Sequence, residues 1–72
     1  MVYSRLKDLR EDRDYTQEQI ANMLGTTQSY YGQYERGVRD LPFERAIQLA
    51  RIYNVTLDYL AGLTDEPRKL YK

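Results

Sequence analysis

Apolar residues recur at helical spacing along almost the whole chain. Val2, Leu6 and Leu9 lie four and three positions apart, one apolar stripe on an otherwise charged segment. Thr16-Gln17-Glu18-Gln19 then fits a capping box, with Thr16 accepting from the Gln19 amide and the Gln19 side chain reaching back. Tyr15 and Ile20 sit where a hydrophobic staple would place them. A second helix is therefore expected from Gln17, burying Ile20, Ala21 and Leu24 and stopped by Gly25 in a left-handed conformation. Thr27 (or Thr26) can cap a third helix, Gln28 to Arg36, which turns Tyr31 and Tyr34 inward and ends at Gly37. Leu41-Pro42 is expected to open a fourth helix, with Pro42 at its first position and a wide apolar face from Phe43 to Tyr53, ended by Asn54. Thr56 caps a last short helix, Leu57 to Ala61, with Asp58 near its positive end and Gly62 after it. The pattern contains no strand signal, so the expected class is all-α: a compact bundle of five helices.

Composition narrows the chemistry. The 72 residues contain no His and no Cys, so zinc fingers, iron–sulfur sites, thiol nucleophiles and imidazole bases are excluded. No metal or other cofactor is expected. The Asp12/Asp14 and Asp65/Glu66 pairs fall in solvated connections and do not suggest catalysis. A chain this short leaves little core for a deep pocket. No run of residues is apolar enough to span a membrane, and Met1–Arg10 carries charges where a signal peptide would be apolar. These points predict a cytoplasmic binding module rather than an enzyme. The expected division is one domain over residues 1–63 and a polar tail over 64–72, the latter including Pro67 and the exposed pair Leu70-Tyr71.

Formal charge is zero, 11 Lys plus Arg against 11 Asp plus Glu, but its distribution is uneven. Residues 15–35 hold no Lys or Arg; cations return at Arg36, Arg39, Arg45 and Arg51. Two short helices joined by a tight Gly-containing turn form a helix-turn-helix, whose second member can enter a DNA major groove. On that member the residues facing away from Tyr31 and Tyr34 are Gln28, Ser29, Gly32 and Gln33. An ordinary solvated face would carry Lys and Glu. This uncharged set suits base edges instead, because a Gln amide offers a donor and an acceptor that match N6 and N7 of adenine. Gly32 weakens a helix by about 1 kcal/mol relative to Ala, a cost compatible with close approach of another group. Tyr30 is left open between a core edge and a phosphate donor.

Gly25-Thr26-Thr27-Gln28, then Gln33-Tyr34-Glu35-Arg36-Gly37, then Asn54-Val55-Thr56-Leu57-Asp58-Tyr59-Leu60 resemble the phage repressor/Cro-type helix-turn-helix family, the xenobiotic-response-element-like regulators. The resemblance runs from Leu6 to Gly62. It implies a lambda repressor-like DNA-binding domain, a sequence-specific transcriptional regulator, and specifically a repressor acting as a homodimer on a palindromic operator in double-stranded DNA near the nucleoid. By the same resemblance Gln28, Ser29, Gly32 and Gln33 fall on base-facing positions. Gln17 and Thr27, at helix starts, fall where phosphate is met, as do Arg36 and Arg39. Apart from the resemblance, Arg10 is counted as a third phosphate contact of each subunit. Arg10 and Glu35 match a family pair joining the first helix to the end of the third. As an exposed pair they would contribute roughly 0–1 kcal/mol; partly buried, they would fix the angle between helices.

The chain departs from the family pattern at Tyr31 and Tyr34, where small aliphatics are usual, and at Leu41-Pro42, shifted by one position. Gly32 also lacks a side chain that many relatives use. Dimer contacts are expected around Leu57, Tyr59, Leu60 and Leu63. The competing reading, from a different class, is a protein-interaction module of the same fold, an antitoxin or the partner of another regulator.

Overall fold

The computed structural model describes Tyr3 and residues 5–66; Val2 of the first apolar stripe, together with Pro67, Leu70 and Tyr71, lies outside the described residues. Five helices follow one another: α1 (Arg5–Asp12), α2 (Gln17–Leu24), α3 (Gln28–Arg36), α4 (Phe43–Tyr53) and α5 (Leu57–Leu60). No strand occurs among the described residues. The helix ends are decided locally. Thr16 closes a complete capping box on α2, and Thr27 and Thr56 accept from the amides of Tyr30 and Tyr59. Gly25 (φ 78°), Gly37 (φ 75°) and Asn54 (φ 56°) stop α2, α3 and α4 in the left-handed region.

The fourth helix begins one residue later than its sequence suggests. Pro42 is extended (φ −60°, ψ 147°) and serves as the N-cap without a side-chain bond, leaving Phe43 as the first helical residue. At that first turn Phe43 points to water and is 67% exposed, so it does not join the apolar face. The last helix also ends earlier, with Ala61 as its C-cap.

One core gathers residues from every helix: Leu6 and Leu9, Ile20, Ala21 and Leu24, Tyr31 and Tyr34, Leu41 from the linker, Ala46, Leu49 and Tyr53, and Leu60. Burial of such side chains, at about 25 cal/mol per Å², is the main force holding short helices that would not form alone. Tyr31 and Tyr34 fill this interior with rings set edge-to-face, centroids 6.2 Å apart. The Tyr34 hydroxyl receives a bond from Arg45 (3.3 Å). The hydroxyls of Tyr31 and Tyr53 are buried without a partner in hydrogen-bond geometry, and burial first of all pushes the Tyr53 phenol up to about 12 and Tyr31 higher still.

Arginines tie distant parts of the chain together. Arg13 caps the end of α4 through the Tyr53 carbonyl (2.7 Å). Arg5 donates to the Tyr59 carbonyl (2.9 Å), to the Thr64 carbonyl and to Asp65 (2.7 Å), with its guanidinium 4.1 Å above the Tyr59 ring. Residues 64 and 65 are thereby drawn back onto α1. Leu60 is wholly interior, and Leu57 and Tyr59 pack against the core, so of the four residues expected at a dimer contact only Leu63 is largely exposed.

Candidate nucleic-acid interface

The α2–turn–α3 unit is set by its caps. Gly25 reverses the chain, Thr26 donates its amide to the Ala21 carbonyl (2.9 Å), and Thr27 opens α3 at once. Thr27 itself is therefore engaged as a cap, accepting from Tyr30 (3.2 Å). In α3 the Tyr30 and Tyr31 amides are already paired with Thr27, which leaves those of Gln28 and Ser29 at the exposed helix start. An analogous start exists at Gln17 and Glu18 of α2. Such amides, with the helix dipole behind them, suit an anion.

The outward side of α3 differs from the expected set in one member. Gln28 and Ser29 are exposed, and the Gln28 side chain bonds no described residue. Gln33 is half-buried, its side-chain oxygen receiving the Arg39 Nε–H at 3.1 Å. Gly32, by contrast, is buried. A methyl group at Gly32 would stand 3.1 Å from an Arg36 guanidinium nitrogen and 3.5 Å from the Gln17 amide oxygen. The base-facing placement of Gly32 is thus corrected: it forms a trough in which Arg36 lies back toward the start of α2. The close approach that a glycine permits is made by the protein's own side chains.

Arg10 also moves from one expected role to another. Its guanidinium makes two bonds to the Glu35 carboxylate (2.7 and 3.2 Å) and one to the Tyr15 carbonyl (3.0 Å). The side chains are only 11% and 3% exposed. With its donors turned inward, Arg10 is a structural residue, and its assignment to phosphate is withdrawn. Gln17 completes the group by donating to the same carboxylate (3.1 Å), so one of its amide hydrogens is no longer free for phosphate. The group links α1, α2 and α3 and fixes how the helix-turn-helix leans on the bundle.

Burial works to raise the Glu35 pKa, but it is outweighed by the bonds from Arg10 and Gln17 and by the nearby Tyr31 hydroxyl, so the carboxyl stays below its ordinary value of 4.5. The bond to Glu35 likewise holds Arg10 above its ordinary value. A depressed carboxyl contributes stability that is complete above pH 4.5 and is lost as pH falls through the lower folded value. In an acid titration of unfolding free energy, Glu35→Gln should remove this component. The difference between wild type and variant should shrink steadily below pH 4.5. A difference that stays constant with pH would mean that Glu35 does not carry it.

Cations rim the open side of α3. Arg36 is exposed at its end, and Arg39 follows after the reversal at Gly37. Arg39 stacks its guanidinium 4.5 Å from the Tyr30 ring. The Arg45 guanidinium of α4 stands 5.8 Å from the Tyr30 ring centre and 5.9 Å from that of Tyr34. Tyr30 is 37% exposed and acts as a shelf for these two arginines, its ring set edge-to-face with that of Tyr34 (centroids 5.7 Å apart). Sequence spacing did not single out Arg45, because its approach to Tyr30 depends on how α4 packs.

Residues 6–60 match the family model described as helix-turn-helix. The chain belongs to the helix-turn-helix family. This helix-turn-helix chain is 42% identical over 67 residues to an uncharacterised HTH-type transcriptional regulator of Bacillus subtilis (strain 168), YobD, covering 93% of the chain and 60% of the relative. It is 35% identical over 65 residues to the HTH-type transcriptional regulator ImmR of the same organism, covering 90% and 51%. Identity to the cryptic phage CTXphi transcriptional repressor RstR of Vibrio cholerae is 37% over 62 residues, covering 86% and 56%. The chain thus spans between half and two thirds of the length of these curated relatives. Among the described residues no helix is long and apolar enough to cross a membrane, and no cluster of acidic side chains could hold a metal ion.

Proposed function

We propose that this chain is a sequence-specific DNA-binding transcriptional regulator, a non-enzymatic repressor that blocks a promoter by occupying it. The observation that carries this reading is the open flank of α3, where Gln28, Ser29 and Gln33 present no charge while Arg36 and Arg39 border them. The amides at the starts of α2 and α3 and the two arginines would hold phosphates, and the Gln and Ser side chains would meet base edges. The kinship with transcriptional regulators and a phage repressor supports the same role. Two copies related by a twofold axis would read half-sites about one turn, roughly 34 Å, apart on a palindromic operator. Its setting is the cytoplasm, where the nucleoid lies.

Selection of duplexes from a random pool tests the proposal directly. Recovery of a palindrome is the expected result, and a pool left without enrichment would refute DNA reading. Salt gives a second check. With Arg10 turned inward, Arg36 and Arg39 leave two phosphates per subunit and four per dimer, so log K should fall with log salt at a slope of about −3.6. Titrations at several salt concentrations measure it. A slope near zero would remove both arginines from the backbone contacts.

A further inference from the structure

The Gln33 amide does not stand free on the groove side of α3. Arg39 donates its Nε–H to the Gln33 side-chain oxygen at 3.1 Å. A guanidinium has donors and no acceptor, so only the oxygen end of the amide can face it. The direction of the Gln33 side chain is therefore chosen by Arg39. Arg39 in turn is held in place from three directions. Gly37 (φ 75°) turns the chain back on itself, the Arg39 amide donates to the Gln33 backbone carbonyl (3.3 Å), and the guanidinium rests on the Tyr30 ring.

We propose that Arg39 is a specificity-determining positioning residue that turns Gln33 into a donor-only reader, directing it to guanine in preference to adenine. This inference rests on the DNA-reading function proposed above. A free Gln amide suits adenine because one end accepts from N6–H₂ while the other donates to N7. In this chain the accepting end already lies against a cation. Its second lone pair remains, but an incoming adenine amino group would bring further positive charge onto the same oxygen. The two amide hydrogens point the other way, and they match edges that offer only acceptors. Guanine presents two, N7 and O6, and thymine one, O4. Cytosine presents a donor and is refused. Gln28, with no such neighbour, keeps the ordinary choice of adenine.

The test is selection from a randomised duplex pool by the 72-residue wild-type chain and by Gln33→Ala and Arg39→Met variants. The base pair whose preference vanishes in Gln33→Ala is the one Gln33 reads. Wild type should favour guanine there. Arg39→Met, which keeps a long side chain but cannot donate, should raise adenine relative to guanine by about tenfold at that pair alone. Arg39 is exposed, and matching melting curves would show that the fold is kept. Adenine preferred by the wild type at that pair overturns the proposal without any Arg39 variant. So does an Arg39→Met chain that binds every sequence more weakly with its preferences unchanged, since Arg39 would then be a phosphate contact alone. Enrichment by wild type with no position responding to Gln33→Ala also overturns it, while leaving DNA reading intact. A wild type that enriches nothing fails at the earlier step and removes both.

Discussion

Glu35→Ala should lower the stability of the chain by about 3 kcal/mol, because it leaves a mostly buried guanidinium without its counter-charge. For a domain of this size that is a drop in melting temperature of about 15 °C, readable by circular dichroism. The loss is large against the roughly 4–10 kcal/mol that a chain of this length has in total. The geometry explains why one side chain matters so much. Glu35 accepts two bonds from Arg10 and one from Gln17, so its removal unpairs α1 and α2 from the end of α3 together. A companion variant separates charge from shape. Arg10→Met combined with Glu35→Leu removes both charges and should recover most of the loss, since exchanging a buried pair for packed apolar groups is often neutral or better. A double variant as unstable as Glu35→Ala would show that the bonds set the helix spacing in a way that apolar packing cannot replace.

Gln28→Ala should abolish preference at the base pair that Gln28 reads while leaving the fold unchanged. Gln28 is the first residue of α3, exposed and with a side chain that bonds no described residue, and the cap beside it belongs to Thr27. Loss of one bidentate base contact costs about 1–3 kcal/mol, and a twofold-symmetric complex would lose it in both half-sites, a weakening on the order of a hundredfold or more. Competition between the selected duplex and an unrelated one measures the effect. The expected result is a steep fall for the selected duplex, little change for the other, and an unaltered melting curve. An equal fall on both would make Gln28 a backbone contact. No fall on either would mean that α3 does not present this flank to bases.

These two residues also show where the sequence was legible. Gln28 lies beside its own helix cap, and its exposure follows from local rules alone. Thr16, Thr27 and Thr56 start helices, and Gly25, Gly37 and Asn54 stop them, through bonds that reach no more than a turn along the chain. Such bonds form between near neighbours whatever the rest of the molecule does. The apolar spacing likewise selected the core positions of α2 and α3, Tyr31 and Tyr34 included. Phe43 was misplaced because periodicity describes a helix that is already under way. At a first turn, the approach of the preceding linker decides which side is covered.

The order of helices, the capped ends at Thr16, Gly25, Thr27, Gly37, Asn54 and Thr56, and the uncharged character of the α3 flank were thus determined by the sequence itself. Tertiary structure alone decided that Gln17 of α2 closes on the trough that Gly32 and Arg36 form, that Arg10 bonds inward to Glu35, that Arg45 reaches Tyr30, and that Arg5 reaches residues 64 and 65. The physical reason lies in the length of the side chains. An arginine can place its guanidinium several ångströms from its own backbone, and it bonds whichever carbonyl, carboxylate or ring the packing of other helices brings within that reach.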